Sequence, residues 1–214
     1  MDYNLGYLRL FLGGVRSGKS ARGLSRFIHY DGLDQFNPII AIPSWTIRPD
    51  DPVYTKYKIE ESNIIKIERD QTVEESLELL EAYNVVIIDE CQFYPHLKAV
   101  VLRLLVQKKR VYLCGLDGDI HGDPMGEVLL MIPHCNKVTK LTGRCVRCIR
   151  ENRAIVNEAI MSMLRVQEIE VVEVKGESVV KIGGLDTEIR ESVVKIGGLD
   201  TYDPVCRYHY LLGN

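Results

Sequence analysis

The sequence predicts an α/β fold in which a parallel sheet is flanked by helices and followed by a small cysteine-containing region. Three observations support this fold class. Short apolar runs alternate with segments of helical pattern, a glycine-rich loop joins the first apolar run to the first helix, and residues 85–88 are hydrophobic on both faces. A strand that is apolar on both faces is typical of the centre of a parallel sheet, because helices cover both of its sides.

The elements follow one another in the order that such a sheet requires. The predicted strands are residues 8–12, 38–43, 64–67, 85–88 and 111–114, and the predicted helices are 21–30, a segment that begins at the capping box of Thr72 and Glu75, and 95–108. Residues 44–58 contain prolines and scattered polar side chains, so we expect a loop there. Ligands bind at the carboxyl ends of the strands in sheets of this kind.

Composition limits the classes of function. The chain has 214 residues, enough for one large domain or for one domain with a small satellite. A net charge of -3 gives no electrostatic reason to bind nucleic acid. Apolar runs stay well below the roughly 18 residues of a membrane span, and the N-terminal residues lack the pattern of a signal peptide. We therefore expect a cytoplasmic protein without a nucleic acid or a membrane as partner.

The glycine-rich loop, residues 13–20, fits the pattern G-x-x-x-x-G-K-[ST] and is called the phosphate loop below. We expect all eight of its residues to bind ATP: Gly13, Gly14, Val15, Arg16, Ser17, Gly18, Lys19 and Ser20. Its backbone N–H groups would point at the phosphates, Lys19 would lie against the β- and γ-phosphates, and the Ser20 hydroxyl would ligate Mg²⁺. The alternative is a glycine-rich surface turn, which the flanking strand and helix disfavour. The fold class is accordingly a P-loop NTPase.

Two acidic residues, Asp89 and Glu90, end the apolar strand at 85–88, which we expect to neighbour the strand before the phosphate loop. A P-loop enzyme holds Mg²⁺ with an acidic residue at such a strand end. Adjacent side chains leave a strand in opposite directions, so one carboxylate can face the metal and the other an acceptor substrate. An acidic turn without function is the alternative interpretation.

Two cysteine-containing pairs predict a structural zinc site. Cys145 and Cys148 form one pair, and Cys206 and His209 form the other near the C-terminus. Together they supply the four ligands of a tetrahedral zinc site, and zinc would close the long segment between them. A redox-active Cys-x-x-Cys pair is the alternative, although the thioredoxin-type unit around such a pair is absent from the sequence pattern.

The combination of motifs resembles the thymidine kinases of vertebrate cytosol, bacteria and large DNA viruses. The motifs are Ser17-Gly18-Lys19-Ser20, Asp89-Glu90-Cys91-Gln92-Phe93, Gly115-Leu116-Asp117-Gly118-Asp119, Pro124-x-Gly126, Lys140-Leu141-Thr142, Cys145-x-x-Cys148, Ile196-Gly197-Gly198, Tyr202, and Val205-Cys206-Arg207-x-His209-Tyr210. Each motif alone has low specificity for the family, but their order and combination are highly specific. The match covers both ends and the middle of the chain.

The resemblance implies ATP-dependent phosphorylation of the thymidine 5′-hydroxyl in nucleotide salvage. It implies Glu90 as the general base, Asp89, Gln92 and Arg48 at the ATP and Mg²⁺ site, and a zinc domain with a "lasso" loop that holds the nucleoside. The lasso residues that match are Val193, Lys195, Gly197 and Tyr202. Such enzymes are usually homotetramers inhibited by the end-product triphosphate.

Several positions depart from the family pattern and bear on the choice of base. Ile120 and Met125 replace aromatic residues expected at the base pocket, Arg16 replaces an apolar residue in the phosphate loop, and Ile155 and Asn157 stand where a Thr-x-Arg is usual. Loss of a stacking ring costs about 1–3 kcal/mol of base binding. We therefore expect weaker binding or a broader choice of base, with phosphoryl transfer unaffected.

The sequence divides into a P-loop ATP-binding domain, residues 1–142, and a zinc-binding lasso domain, residues 143–214. The second domain contains a 14-residue tandem duplication, residues 177–190 and 191–204, and the second copy keeps the spacing to Tyr202 and Cys206. We hypothesise that the first copy is a tolerated insertion that extends a β-hairpin with residues 169–174. Alternatively, the two copies compete for the position of the lasso.

Two other functions are compatible with these motifs. One is a catalytically altered, nucleotide-binding relative of the kinases, which the changed base pocket and the duplicated lasso would explain. The other is a P-loop ATPase that acts on macromolecules and uses the zinc domain for docking.

Overall fold

A six-stranded parallel sheet forms the body of the molecule. The structure is a computed structural model that describes residues 5–33, 35–46, 52–164, 169–174, 177–182 and 201–212. The sheet strands are β1 (Tyr7–Leu12), β2 (Pro38–Pro43), β3 (Ile64–Ile67), β4 (Val85–Ile88), β5 (Arg110–Gly115) and β6 (Lys137–Lys140), in the order β3-β2-β4-β5-β1-β6. Every pairing is parallel. The predicted fold class is confirmed.

Helices cover both faces of this sheet: α1 (Lys19–Tyr30), α2 (Pro52–Lys56), α3 (Val73–Leu80) and α4 (Leu97–Val106). Val86 and Ile88 of β4 belong to the apolar cluster that includes α4, whereas Val85 and Ile87 belong to the cluster that includes α1. All four are buried. Alternate side chains of β4 therefore pack into the apolar clusters on the two faces of the sheet, as the continuous apolar sequence of this strand predicts.

The phosphate-loop strand and the acidic strand are not neighbours. β5 lies between β1 and β4 and pairs with both of them. The prediction of adjacent strands was wrong because the order of strands depends on crossover connections, which a strand pattern does not specify. The two strands still end at the same edge of the sheet, because all strands run parallel.

The segment predicted as a loop, residues 44–58, contains two helical turns among its described residues. A 3-10 helix spans Ser44–Thr46, and α2 spans Pro52–Lys56. Proline disfavours the interior of a helix, but Pro52 is the first residue of α2, where its missing N–H has no helical partner to lose. This exception explains the wrong prediction, and α2 proves important for the site.

The C-terminal part consists of short antiparallel pairs and two short helices. The elements are β7 (Gly143–Arg144), α5 (Val146–Arg150), β8 (Glu158–Ala159), β9 (Met161–Leu164), β10 (Ile169–Val174), β11 (Glu177–Ile182), β12 (Tyr202–Val205) and α6 (Arg207–Leu212). β7 pairs with β8, β9 with β12, and β10 with β11. The beginning of the first repeat copy thus pairs with residues 169–174, as the hairpin hypothesis expects. Most of the second copy lies outside the described residues.

Candidate active site and metal centre

The phosphate loop bends sharply between β1 and α1. Gly13 and Gly18 have φ values of 146° and 87°, and Arg16 also has a positive φ of 60°. A Cβ atom at Gly13 would collide with the carbonyl oxygen of Leu141. Glycine is therefore required at Gly13 both by backbone conformation and by space. The side chain of Arg16 is exposed.

Lys19 is nearly buried at the start of α1. Its Nζ atom donates a hydrogen bond to the carbonyl oxygen of Gly14 at 2.8 Å, and the residue is 9% exposed. Burial lowers the pKa of Lys19, and the carboxylates of Glu90 and Asp89 oppose that effect. The loop therefore holds a cationic group folded back over its own backbone, where phosphate oxygens of a nucleotide would bind.

Asp89 is the buried acid of the site. Its Oδ1 atom accepts a hydrogen bond from the Ser20 hydroxyl at 3.0 Å, and its Oδ2 atom accepts one from the Tyr54 hydroxyl at 2.8 Å. Burial and then the charge of Glu90 raise the pKa of Asp89 to about 7. A serine hydroxyl and a carboxylate in contact beside a phosphate loop are a set of oxygen ligands that suits Mg²⁺.

Glu90 follows Asp89 in a left-handed turn with a φ of 49°. Its Oε2 atom accepts a hydrogen bond from the side-chain amide of Gln92 at 2.6 Å, and the Oε1 atom of Gln92 accepts one from the backbone N–H of Leu116 at 3.1 Å. Gln92 therefore links the candidate base to the loop after β5. This contact differs from the nucleotide contact predicted for Gln92, since its side chain is held by Glu90 and Leu116.

The loop after β5 packs against the C-terminal part. The Tyr210 hydroxyl donates to the carbonyl oxygen of Ile120 at 3.0 Å, while Met125 is buried and Ile120 is half-buried. On the other side, the backbone N–H of Val15 donates to the Ser162 hydroxyl at 3.0 Å. The phosphate loop therefore contacts the segment between the two ligand pairs, and the loop that carries Ile120 contacts α6.

The two departures from the family pattern that follow Cys148 lie in different surroundings. Ile155 is 74% exposed. The side-chain amide of Asn157 lies 3.9 Å from the sulfur of Cys148 and 4.0 Å from that of Cys206, in the metal cluster. Arg48, Val193, Lys195 and Gly197 lie outside the described residues, and Tyr202 begins β12.

The four predicted zinc ligands converge. The Sγ atoms of Cys145, Cys148 and Cys206 and the imidazole of His209 are buried, and their ligand atoms lie within 4.8 Å of one another. The Nδ1 atom of His209 is 3.2 Å, 3.6 Å and 3.3 Å from the sulfurs of Cys145, Cys148 and Cys206. Ligand bonds of about 2.3 Å to sulfur and 2.0 Å to nitrogen give separations of about 3.6 Å in a tetrahedron. The group is compatible with zinc in chemistry and spacing.

Glu151 orients the histidine of this cluster. Its Oε1 atom lies 3.0 Å from the Nε2 atom of His209, which leaves Nδ1 facing the three sulfurs. A carboxylate behind a ligating histidine fixes the tautomer and the ring orientation of that ligand. The sequence analysis did not identify Glu151 as a partner of His209. The one local feature that could have indicated it is its position three residues after Cys148.

Comparison with known proteins agrees with this geometry. A family model described as thymidine kinase matches residues 6–210. The chain belongs to the thymidine kinase family. Relatives named thymidine kinase from Monkeypox virus, from Vaccinia virus (strain Western Reserve) and from Variola virus are each 29% identical over 148 residues, which cover 69% of this chain and 81% of the relative. The chain is therefore a phosphotransferase with a nucleoside substrate.

No helix in the described part of the chain has the length and the apolar character needed to cross a membrane.

Proposed function

We propose that this thymidine kinase family member transfers the γ-phosphoryl group of ATP to the 5′-hydroxyl of thymidine, forming dTMP for nucleotide salvage in the cytoplasm. One observation carries the proposal. The Ser20 hydroxyl contacts Asp89 at 3.0 Å, Glu90 follows Asp89, and both carboxylates act on the charge of Lys19. These contacts support the proposal, because they bring together a phosphate loop, a carboxylate suited to Mg²⁺ and a second carboxylate that could serve as the base.

Glu90 is the group that we assign as the general base. As the 5′-oxygen forms its bond to the γ-phosphorus, the hydroxyl proton would pass to the Glu90 carboxylate, and ADP would leave. Gln92 holds that carboxylate in place through its 2.6 Å hydrogen bond. Lys19 would exchange its contact with Gly14 for phosphate oxygens. Mg²⁺, when held by Ser20 and Asp89, supplies positive charge to the β- and γ-phosphates.

The acceptor side is assigned to the loop after β5 and to the lasso. Ile120 and Met125 would contact the base, and Tyr202 with the lasso positions Val193, Lys195 and Gly197 would hold the nucleoside. Arg48 would neutralise charge on the transferring phosphate. The contact of Tyr210 with Ile120 supports this assignment, because it joins the loop after β5 to the segment that follows the lasso.

Zinc has a structural role in this proposal. The buried cluster links α5 to α6 and so fixes both ends of the segment that contains the lasso, and we place the domain boundary after residue 142. All four positions are filled by protein ligands, as in structural zinc sites. We further propose that the active protein is a homotetramer, as the family resemblance implies.

Phosphate transfer from γ-labelled ATP to a panel of nucleosides tests the proposal. We expect labelled monophosphate with thymidine, and with deoxyuridine to a lesser extent. ATP binding without transfer to any nucleoside would instead support the catalytically altered relative. Hydrolysis of ATP that only a polymer stimulates would support the ATPase with a zinc docking module.

A further inference from the structure

Tyr54 reaches the metal-binding carboxylate from a segment outside the motifs. The residue lies on α2, and its hydroxyl donates a hydrogen bond to the Oδ2 atom of Asp89 at 2.8 Å. The Oδ1 atom of the same carboxylate accepts from the Ser20 hydroxyl at 3.0 Å and from the backbone N–H of Glu90 at 3.1 Å. Each carboxylate oxygen therefore has a defined donor.

The ring of Tyr54 is fixed by packing. Val53, Tyr54, Tyr57 and Ile59 all pack against the apolar cluster on the α1 face of the sheet, which includes Phe27 and Ile40. The backbone N–H groups of Tyr57 and Ile59 bond to the carbonyl oxygens of Val53 and Tyr54. A hydroxyl on such an anchored ring holds its acceptor more rigidly than a mobile side chain could, because little side-chain entropy is lost when the bond forms.

The two hydroxyl donors differ in what metal binding requires of them. To ligate Mg²⁺, Ser20 must turn an oxygen lone pair towards the cation, while its hydroxyl proton remains available to Asp89. Tyr54 has no such task, and its bond to Oδ2 can persist while Oδ1 faces the metal. Without Tyr54, the carboxylate would be held only through Oδ1, by the Ser20 hydroxyl and the N–H of Glu90.

We propose that Tyr54 is a positioning residue that fixes the Asp89 carboxylate for Mg²⁺·nucleotide binding. This inference rests on the proposed function, since it needs Asp89 to serve as the metal-binding acid. Tyr54 acts through Asp89 and does not touch the reacting atoms. Thr46, at the end of the 3-10 helix after β2, gives no comparable support, since its hydroxyl donates to the carbonyl oxygen of Pro43 at 2.8 Å.

The test removes one oxygen atom. In Tyr54→Phe the ring and its packing remain, whereas the donor to Asp89 is lost. The matched control is Tyr57→Phe, three residues later and packed against the same apolar cluster. Thermal unfolding of both zinc-loaded full-length variants verifies that each is folded, and Mn²⁺ serves as the probe for the Mg²⁺ site.

Binding of Mn²⁺ is measured by the electron paramagnetic resonance of free Mn²⁺, with the protein in excess over a non-hydrolysable ATP analogue. We expect Tyr54→Phe to weaken Mn²⁺ binding by about 10- to 140-fold, the range for loss of one hydrogen bond to a charged group. Tyr57→Phe should stay within about twofold of the unmodified protein. In turnover assays the Mg²⁺ midpoint should shift by the same factor, with kcat restored at saturating Mg²⁺.

Equal Mn²⁺ affinity in the two variants would overturn the inference, as would a loss of kcat that saturating Mg²⁺ does not restore. Those results leave the proposed function intact, because the unmodified protein would still bind Mn²⁺ and transfer phosphate. Failure of the unmodified protein to bind Mn²⁺ with the analogue would overturn both.

Discussion

At the scale of single residues, the ionisation of Asp89 opposes folding in the protein without nucleotide. Burial raises its pKa to about 7, above the usual value of 3.8, and Glu90 adds to the effect. Such a carboxyl group stabilises the folded state most at pH values below its pKa in the unfolded chain. This stabilisation is lost as the pH rises towards 7. The contacts with Ser20 and Tyr54 reduce the loss without removing it.

Asp89→Asn should therefore stabilise the magnesium-free, zinc-loaded protein increasingly as the pH rises. The gain in free energy of unfolding should grow by up to about 1.4 kcal/mol per pH unit from pH 5.5 to about 7 and then level off. Urea unfolding at several pH values measures it, and Asp31→Asn at the exposed end of α1 serves as the control. A gain that does not change with pH would contradict the assignment.

Residue identity at the site was predictable where motifs are local. Lys19 and Ser20 follow one glycine-rich loop, and Asp89 and Glu90 follow one apolar strand, so short-range patterns were sufficient to select them. Tyr54 and Ser162 were not predictable, because each meets its partner through tertiary packing of distant segments. Single tyrosine and serine residues carry no signal of such a contact in their local sequence.

At the scale of elements, the position of β4 depends on how α3 ends. The Nζ atom of Lys109 donates to the carbonyl oxygens of Leu80, Glu81 and Tyr83 at 3.0 Å, 2.7 Å and 2.7 Å. Lys109 is buried, and it precedes β5. One cation thus bonds to three carbonyl groups at and after the end of a helix, just before the strand that carries Asp89, and the carbonyl of Leu80 also accepts from the N–H of Tyr83.

Lys109→Met should lower the free energy of unfolding by about 2–3 kcal/mol, because it keeps the apolar stem and removes three hydrogen bonds from a charged donor. Lys137→Met on the exposed edge strand β6 provides the control, and thermal or urea unfolding gives the comparison. Equal stability of the two variants would show that water replaces the ammonium group at no cost.

Elements with strong periodicity were predicted well, and the two exceptions have physical causes. The bounds of β2 and β3 agree with the prediction, and the capping box of Thr72 and Glu75 forms as expected. The helix α2 escaped prediction because five residues that begin with proline show no helical period. The place of β5 between β1 and β4 is decided by the packing of crossover helices, which no single segment encodes.

At the scale of the whole molecule, the metal centre and the phosphate loop are mechanically connected. β9 carries Ser162, whose hydroxyl accepts from Val15, and β9 pairs with β12, which leads into Cys206. A bidentate ion pair between Arg150 and Asp203 joins α5 to β12 as well. Loss of zinc should therefore change the affinity for the nucleotide through these contacts.

Removal of zinc should weaken binding of a non-hydrolysable ATP analogue, and Ser162→Ala should reproduce part of the loss. One hydrogen bond corresponds to a change of about 2- to 12-fold in affinity. In Ser162→Ala, chelation should cost less affinity than in the unmodified protein, because coupled changes are not additive. Calorimetric titration measures both, with Ser44→Ala as the control at an exposed hydroxyl contact. Fully additive losses would refute the connection.

The central claim is that Glu90 takes the proton of a nucleoside hydroxyl while the phosphate loop holds ATP. Its most direct test is transfer of labelled γ-phosphate to thymidine by Glu90→Gln, beside Glu78→Gln at an exposed position of α3. We predict that Glu90→Gln lowers kcat by about 10²- to 10⁴-fold, the usual contribution of a general base, and leaves the affinity for the ATP analogue within about threefold. Turnover of Glu90→Gln equal to that of Glu78→Gln would contradict the account.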